Sequence, residues 1–179
     1  MRSREDGDII IPAIASDGTL YPVGKLEAHR LGLLHVAISV FVFDRDGRLL
    51  IQRRAAGKYH SGGQWANTCC SHPDWGEDIA ASAHRRMREE LGLETSLSQT
   101  RTIEYRADVG AALIEHERVH VFRGSIDASA VHLDLDPAEV SETAWIVPAD
   151  LMRQARVAPE ALTPWLRIYL ERWSELGLD

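Results

Sequence analysis

The 179-residue chain is poor in cysteine, lysine and aromatics, with two cysteines, two lysines and 7% Phe, Trp and Tyr. It has no apolar run near the ~20 residues a membrane-spanning helix needs, so no membrane partner is expected. Its first residues, MRSREDGD, lack the apolar stretch and cleavage site of a signal peptide, which makes the cytoplasm the expected location. Cys69 and Cys70 are adjacent, and neighbouring residues rarely bridge comfortably. A disulfide scaffold is therefore excluded, and a reduced compartment and a chemical role for one thiol are expected. Positive charge is scarce too. The net charge is −7, whereas a generic nucleic-acid binder is more often basic, so no nucleic-acid partner is expected. Lys25 and Lys58 are the two lysines in a set of cations otherwise made of arginine.

What is present suits a folded domain. Hydrophobic residues make up 45% and charged residues 26%, enough to bury a core. With no repeat, low-complexity tract or long linker, one domain over residues 1–179 is expected. Residues 9–14 and 19–23 flank Asp17-Gly18 and predict a small hairpin. Residues 25–31 predict a short helix stopped by Gly32, and 35–43 a strand that turns at Asp46-Gly47 and returns through 49–52. Residues 53–64 are basic and glycine-bearing and read as a loop, and 65–71 as extended chain. Apolar spacing predicts a helix over 77–91 with Gly92 as its cap. Strands follow at about 100–107, 112–123 and 142–147, with a helical turn from Asp136-Pro137. Thr163-Pro164 starts a C-terminal helix through about 176. Strands mixed with three or four helices imply an α/β layered domain.

Several constellations carry chemistry. Glu115 and Glu117 share one strand face, with Cα atoms about 6.6 Å apart. Two such carboxylates repel unless a cation or a shared proton lies between them. Cys70 and His72 have the same i, i+2 spacing, and His29 and His35 bracket the start of the first long strand. Three histidines and two glutamates make a five-ligand N/O set suited to Zn²⁺, Mn²⁺ or Fe²⁺ rather than Ca²⁺. His60, His84, His116, His120 and His132 have no comparable partner and read as surface or packing residues. Finally, Glu77, Arg85, Glu89, Glu90 and Gly92 fall on the spacing of a Nudix box, whose acidic residues hold Mg²⁺ against a diphosphate. The box is degenerate. Ser71 stands at its first Gly, and Arg86 at the first Glu of REUxEE.

Together these residues resemble type I isopentenyl diphosphate isomerases, a Nudix-fold family. The resemblance rests on KLEAH (25–29), QRRAAGKYHSGGQWANTCCSHP (52–73), REELG (88–92), YRAD (105–108), IEHE (114–117) and TPW (163–165), and covers roughly residues 25–165. It implies an α/β/α sandwich with a mixed β-sheet, to which the N-terminal hairpin and C-terminal helix are family-specific additions. It implies His29, His35, His72, Glu115 and Glu117 as ligands of one divalent transition metal, Mn²⁺ or Zn²⁺. Cys70 and Glu117, aided by Tyr105, resemble the catalytic groups, and Trp165 the aromatic that faces the isoprenoid cation. Glu90 resembles the ligand of a Mg²⁺ bound with the substrate, and Lys25, Arg54, Lys58 and Arg86 the diphosphate-binding cations. The implied partner is a small isoprenoid diphosphate, and the implied assembly a monomer or weak homo-oligomer.

The implied reaction adds a proton at C4 of isopentenyl diphosphate and removes one from C2. An alkene is a poor base, so a strong, positioned acid is needed. Nearby cations and metal are expected to lower the Cys70 thiol pKa. Trp65, Trp165 and the C-terminal helix are expected to exclude water. Two rival readings stand against this one. A Nudix hydrolase of a nucleoside diphosphate derivative predicts an intact box. A catalytically inert binding module predicts that Cys70 and Glu117 are dispensable.

Overall fold

The computed structural model describes residues 6–178. A hairpin of β1 (Ile10–Ile14) and β2 (Leu20–Gly24) opens the fold and leads straight into α1 (Lys25–Leu31). Gly32 stops this helix in the left-handed conformation at φ 61°, and its N–H bonds the Ala28 carbonyl. The chain thereby reverses into β3 (His35–Phe43), all nine residues of which are buried. A β-branched and aromatic run with no polar alternation belongs in the middle of a sheet covered on both sides.

β3 is the organising strand. Along one edge it pairs in parallel with β8 (Leu113–Ser125), from His35↔Glu117 to Phe43↔Ser125. It also pairs antiparallel with β1, with β6 (Cys69–Ser71) and with β4 (Leu49–Arg54). β7 (Leu97–Gly110) extends the sheet beyond β8, while β5 (Trp65–Ala66) and β9 (Val140–Ile146) both pair with β4. One parallel pairing among antiparallel ones makes the sheet mixed.

Two apolar layers cover it. On one face Ile38, Val40 and Val42 pack with Met87 and Leu91 of α2 (Ile79–Leu91). On the other, Ala37, Phe41 and Phe43 pack with Leu151 of α3 (Pro148–Val157) and with Trp165, Leu166 and Tyr169 of α4 (Pro164–Glu171). The α/β/α layering and the mixed sheet match the expectation. Asp78 caps α2 by accepting from the Ala81 N–H, so this helix starts at Ile79 rather than at 77.

Four elements differ from the sequence reading. The long hairpin strands run from 97 and to 125, beyond their expected ends. α3 was not singled out, although Pro148 sits at its first turn. α4 ends at Glu171 instead of about 176. A 3-10 turn over Trp173–Glu175 then bends the chain back so that Leu176 and Leu178 enter the core. Among the described residues, no helix is long and apolar enough to cross a membrane.

Candidate active site

Strand register assembles the centre of the site. Across three neighbouring strands, His35 of β3 lies beside Glu117 of β8, which lies beside Tyr105 of β7. β8 alternates, so Glu115 and Glu117 are buried while His116 turns the other way and meets the Gly32 carbonyl. His72 follows β6 directly and brings Nε2 to 2.9 Å from Glu117 Oε1 and 3.2 Å from His35 Nε2. The reversal at Gly32 returns His29 toward the same point, its ring 4.9 Å from that of His35 and 5.3 Å from that of His72. One ligand atom each from His29, His35, His72 and Glu117 lies within 4.8 Å of the others. Glu115 belongs to a second, overlapping group with His29 and His60.

The donor set suits a divalent metal. His29 Nδ1 donates to the Lys25 carbonyl and His35 Nδ1 to the Leu33 carbonyl, both at 2.7 Å. Those bonds fix the tautomer and leave each Nε2 as a lone-pair donor turned inward. The Nε2 of His29 is buried without a hydrogen-bond partner. Burial lowers His29 to about 4 and His72 to about 3, so both rings are neutral at pH 7 and able to ligate.

The carboxylates are unequal. Burial and the charge of Glu117 push the Glu115 carboxyl well up. Burial alone would raise Glu117 too, but the hydrogen bond from His72 and the adjoining His35 ring hold it well below the usual carboxylate range. Tyr105 Oη stands 2.7 Å from Glu117 Oε2 and 2.8 Å from Glu115 Oε2. A single hydroxyl proton serves one acceptor at a time. Three close oxygens therefore call for a second proton, and the raised Glu115 carries it.

The two cysteines part company on β6. Successive side chains point to opposite faces, so Cys69 is buried against the α2 layer while Cys70 reaches the cleft. Cys70 Sγ donates to Asn67 Oδ1 at 2.9 Å and lies 3.2 Å from Ser39 Oγ. Asn67 in turn donates to Ser39 Oγ and to the Val40 carbonyl, which fixes its amide. The expected lowering of the thiol is not what the protein groups do. Burial and the nearby Glu117 and Glu115 push Cys70 up, against the pull of Ser39 and Asn67. The charged groups that act on it are the two carboxylates.

The same cleft is lined by four cations, Lys25, Arg54, Lys58 and Arg86. Lys25 lies over the Tyr59 ring, and the Arg54 guanidinium stacks 5.1 Å from the centre of the Trp165 ring. In the degenerate box, Arg85 grips Glu77 with two bonds of 2.6 and 2.7 Å. Arg86 donates to Glu90 and Glu89, both at 2.8 Å. The guanidinium thus pairs with both remaining glutamates of the box. Gln52 Nε2 holds the other Glu90 oxygen at 3.0 Å.

Sequence reasoning missed four participants. His60 was read as surface or packing, yet it is buried 3.6 Å from Glu115 and edge-on to Trp165. It lay inside the quoted 52–73 segment, but only the folded loop brings it beside Glu115. Asn67 lay in the same segment, unremarked. Ser39 and Glu139 carried no sequence signal, since a strand serine and the end of a DPAE turn are ordinary. Trp65 accepts the Thr163 N–H through its carbonyl and so anchors the start of α4.

Comparison with known proteins now bears on this geometry. A family model for the NUDIX domain matches residues 33–167. Lys25 and His29 therefore lie outside that shared unit, on the helix that precedes it. Among solved structures, a Deinococcus radiodurans protein superposes with a TM-score of 0.74 at 16% identity, covering 91% of this chain and 98% of its own. A MutT protein from Methanosarcina mazei Go1 gives a TM-score of 0.63 at 16% identity, covering 79% and 93%. Both speak for the fold alone. Curated relatives reach much higher identity. An isopentenyl-diphosphate Delta-isomerase of Cereibacter sphaeroides (strain KD131) is 54% identical over 160 residues, 89% of each chain. One from Jannaschia sp. (strain CCS1) is 51% identical over 161 residues, 89% of this chain and 90% of its own. On this similarity over most of its length, and with a buried His/Glu cluster set in a NUDIX fold, the chain belongs to the family of isopentenyl-diphosphate Delta-isomerases.

Proposed function

We infer that the cleft interconverts isopentenyl and dimethylallyl diphosphate, with Glu117 and Cys70 as its two proton-handling groups. The observation that carries the assignment is that both side chains, on different strands, line one cleft that four cations also line. Glu115 passes a proton across Tyr105 Oη to Glu117, which gives it to C4. Cys70 Sγ, positioned by Asn67 and Ser39, releases its own S–H proton to solvent and then, as the thiolate, takes the proton from C2. The positive charge that develops between them meets the indole of Trp165, a ring already placed against the Arg54 cation. α4 closes the core behind Trp165 and keeps water from the cation.

His29, His35, His72, Glu115 and Glu117 would hold one divalent transition metal, Mn²⁺ or Zn²⁺. Such an ion supplies fixed positive charge that orients the carboxylates. Glu90 would hold a Mg²⁺ carried with the diphosphate, whose oxygens Lys25, Arg54, Lys58 and Arg86 receive. Two free cysteines and a metabolite substrate suit action in the cytoplasm as a single domain, monomeric or weakly self-associated.

The test is product analysis. Metal-loaded protein given isopentenyl diphosphate and Mg²⁺ yields dimethylallyl diphosphate without phosphate release. Cys70→Ala and Glu117→Gln abolish turnover while the fold persists. Phosphate release alone would sink the assignment and return the hydrolase reading. No turnover by the folded, metal-loaded wild type would return the inert binding module, and unchanged turnover in both variants would remove Cys70 and Glu117 from the chemistry.

A further inference from the structure

We propose that Glu139 makes the diphosphate end of the cleft select its substrate as a divalent-cation complex over the metal-free anion. This rests on the reading of that end as the diphosphate site. Glu139 Oε2 accepts from Lys58 Nζ at 2.8 Å, and Oε1 lies 3.6 Å from Arg86 Nη2. Two of the four cations thus face a carboxylate already supplied by the protein.

That carboxylate is held in place. The Glu139 N–H bonds the Asp136 carbonyl at 2.9 Å, and the Ala55 N–H bonds the Glu139 carbonyl at 2.8 Å. The residue is clamped between the turn before β9 and the loop after β4. Its side chain is 17% exposed, with Lys58 and Arg86 similarly enclosed at 10% and 18%. It cannot swing into solvent without breaking both ion pairs.

A metal-free diphosphate that reaches Lys58 and Arg86 therefore meets a like charge at contact range. Repulsion between two enclosed anions is poorly screened. A diphosphate that carries Mg²⁺ presents a hard cation, for which carboxylate oxygens are favourable neighbours. Glu90, bonded to the same Arg86 nitrogen at 2.8 Å, adds to the preference but is the expected ligand itself. Glu139 acts as a positioning and selecting residue, through Lys58 and Arg86.

The test uses inorganic pyrophosphate as probe, titrated calorimetrically into protein loaded at its His/Glu cluster, with Mg²⁺ added or omitted. Wild type is expected to bind at least tenfold tighter with Mg²⁺. Glu139→Gln is expected to shrink that ratio below threefold by tightening metal-free binding, and Glu139→Asp, which keeps the charge, to retain most of it. A Glu139→Gln ratio equal to wild type, or equal weakening in both conditions, overturns the proposal. A wild type that binds no pyrophosphate under either condition overturns the diphosphate reading beneath it.

Discussion

Arg86 Nη2 and Glu90 Oε1 meet at 2.8 Å across one turn of α2, and this pair closes the box to the metal arrangement of a hydrolase. Arg86→Glu would set a fourth carboxylate beside Glu89, Glu90 and Glu139. Crowding like charges in a part-buried position, with the Arg86 partner lost, is expected to cost on the order of 2 kcal/mol of stability. The KM for isopentenyl diphosphate should rise more than tenfold, with no phosphate released. Steady-state kinetics with a phosphate assay checks both, and a gain of hydrolysis would contradict the reading of Arg86.

Tyr105→Phe removes the hydroxyl between Glu115 and Glu117 and leaves the ring that packs edge-on to Tyr169. A positioned acid–base contact is worth roughly 10²–10⁴ in rate. The expected result is a kcat lower by about 10²-fold with KM within threefold, because the hydroxyl bonds Glu115 and Glu117 rather than a cation. Equal effects on kcat and KM would place Tyr105 in substrate binding instead.

Cys69 and Cys70 offer an internal control one residue apart. Cys70→Ala is expected to abolish turnover. Cys69→Ala, on the α2 side of the sheet, should keep it within a fewfold and cost about 1 kcal/mol from a small void in the core. Activity assays beside thermal melts separate the two. Turnover that survives Cys70→Ala but not Cys69→Ala would reverse the assignment.

Metal-free protein should lose stability as the pH falls from about 6.5 towards 4. The folded chain holds His29 at about 4, His72 at about 3 and His60 at about 2, below their ordinary 6.5, because burial disfavours the imidazolium. In that window the unfolded chain binds more protons than the folded one, so unfolding becomes easier as acid is added. Stability from these rings is complete above 6.5 and declines through the window. Melts at stepped pH check this, and His60→Gln should flatten the slope. A slope of the opposite sign would show that the rings are charged in the folded state.

Much of this was legible in one dimension, because periodicity is local. The alternation of Glu115, His116 and Glu117 already placed both carboxylates on one face, and Gly32 and Gly92 already marked where two helices stop. Cys70 was separable from Cys69 by its Ser-His neighbours. Neighbourhood across strands was not legible. His35, Glu117 and Tyr105 lie 82 and 12 residues apart and become neighbours only through the parallel pairing of β3 with β8 and the register of the long hairpin. The same holds for His60 against Glu115 and for Glu139 against Lys58, where a loop and a turn meet over distances no local spacing encodes. The raised Cys70 thiol also needed three dimensions, since whether a charge is favoured depends on burial and on which groups arrive beside it. The sequence by itself determined the residue types, the helix stops and the strand faces, all set by interactions within a few residues. Only the tertiary structure decided which of those side chains share a cleft, because a sheet brings distant segments within hydrogen-bonding reach and sets the charge each group feels.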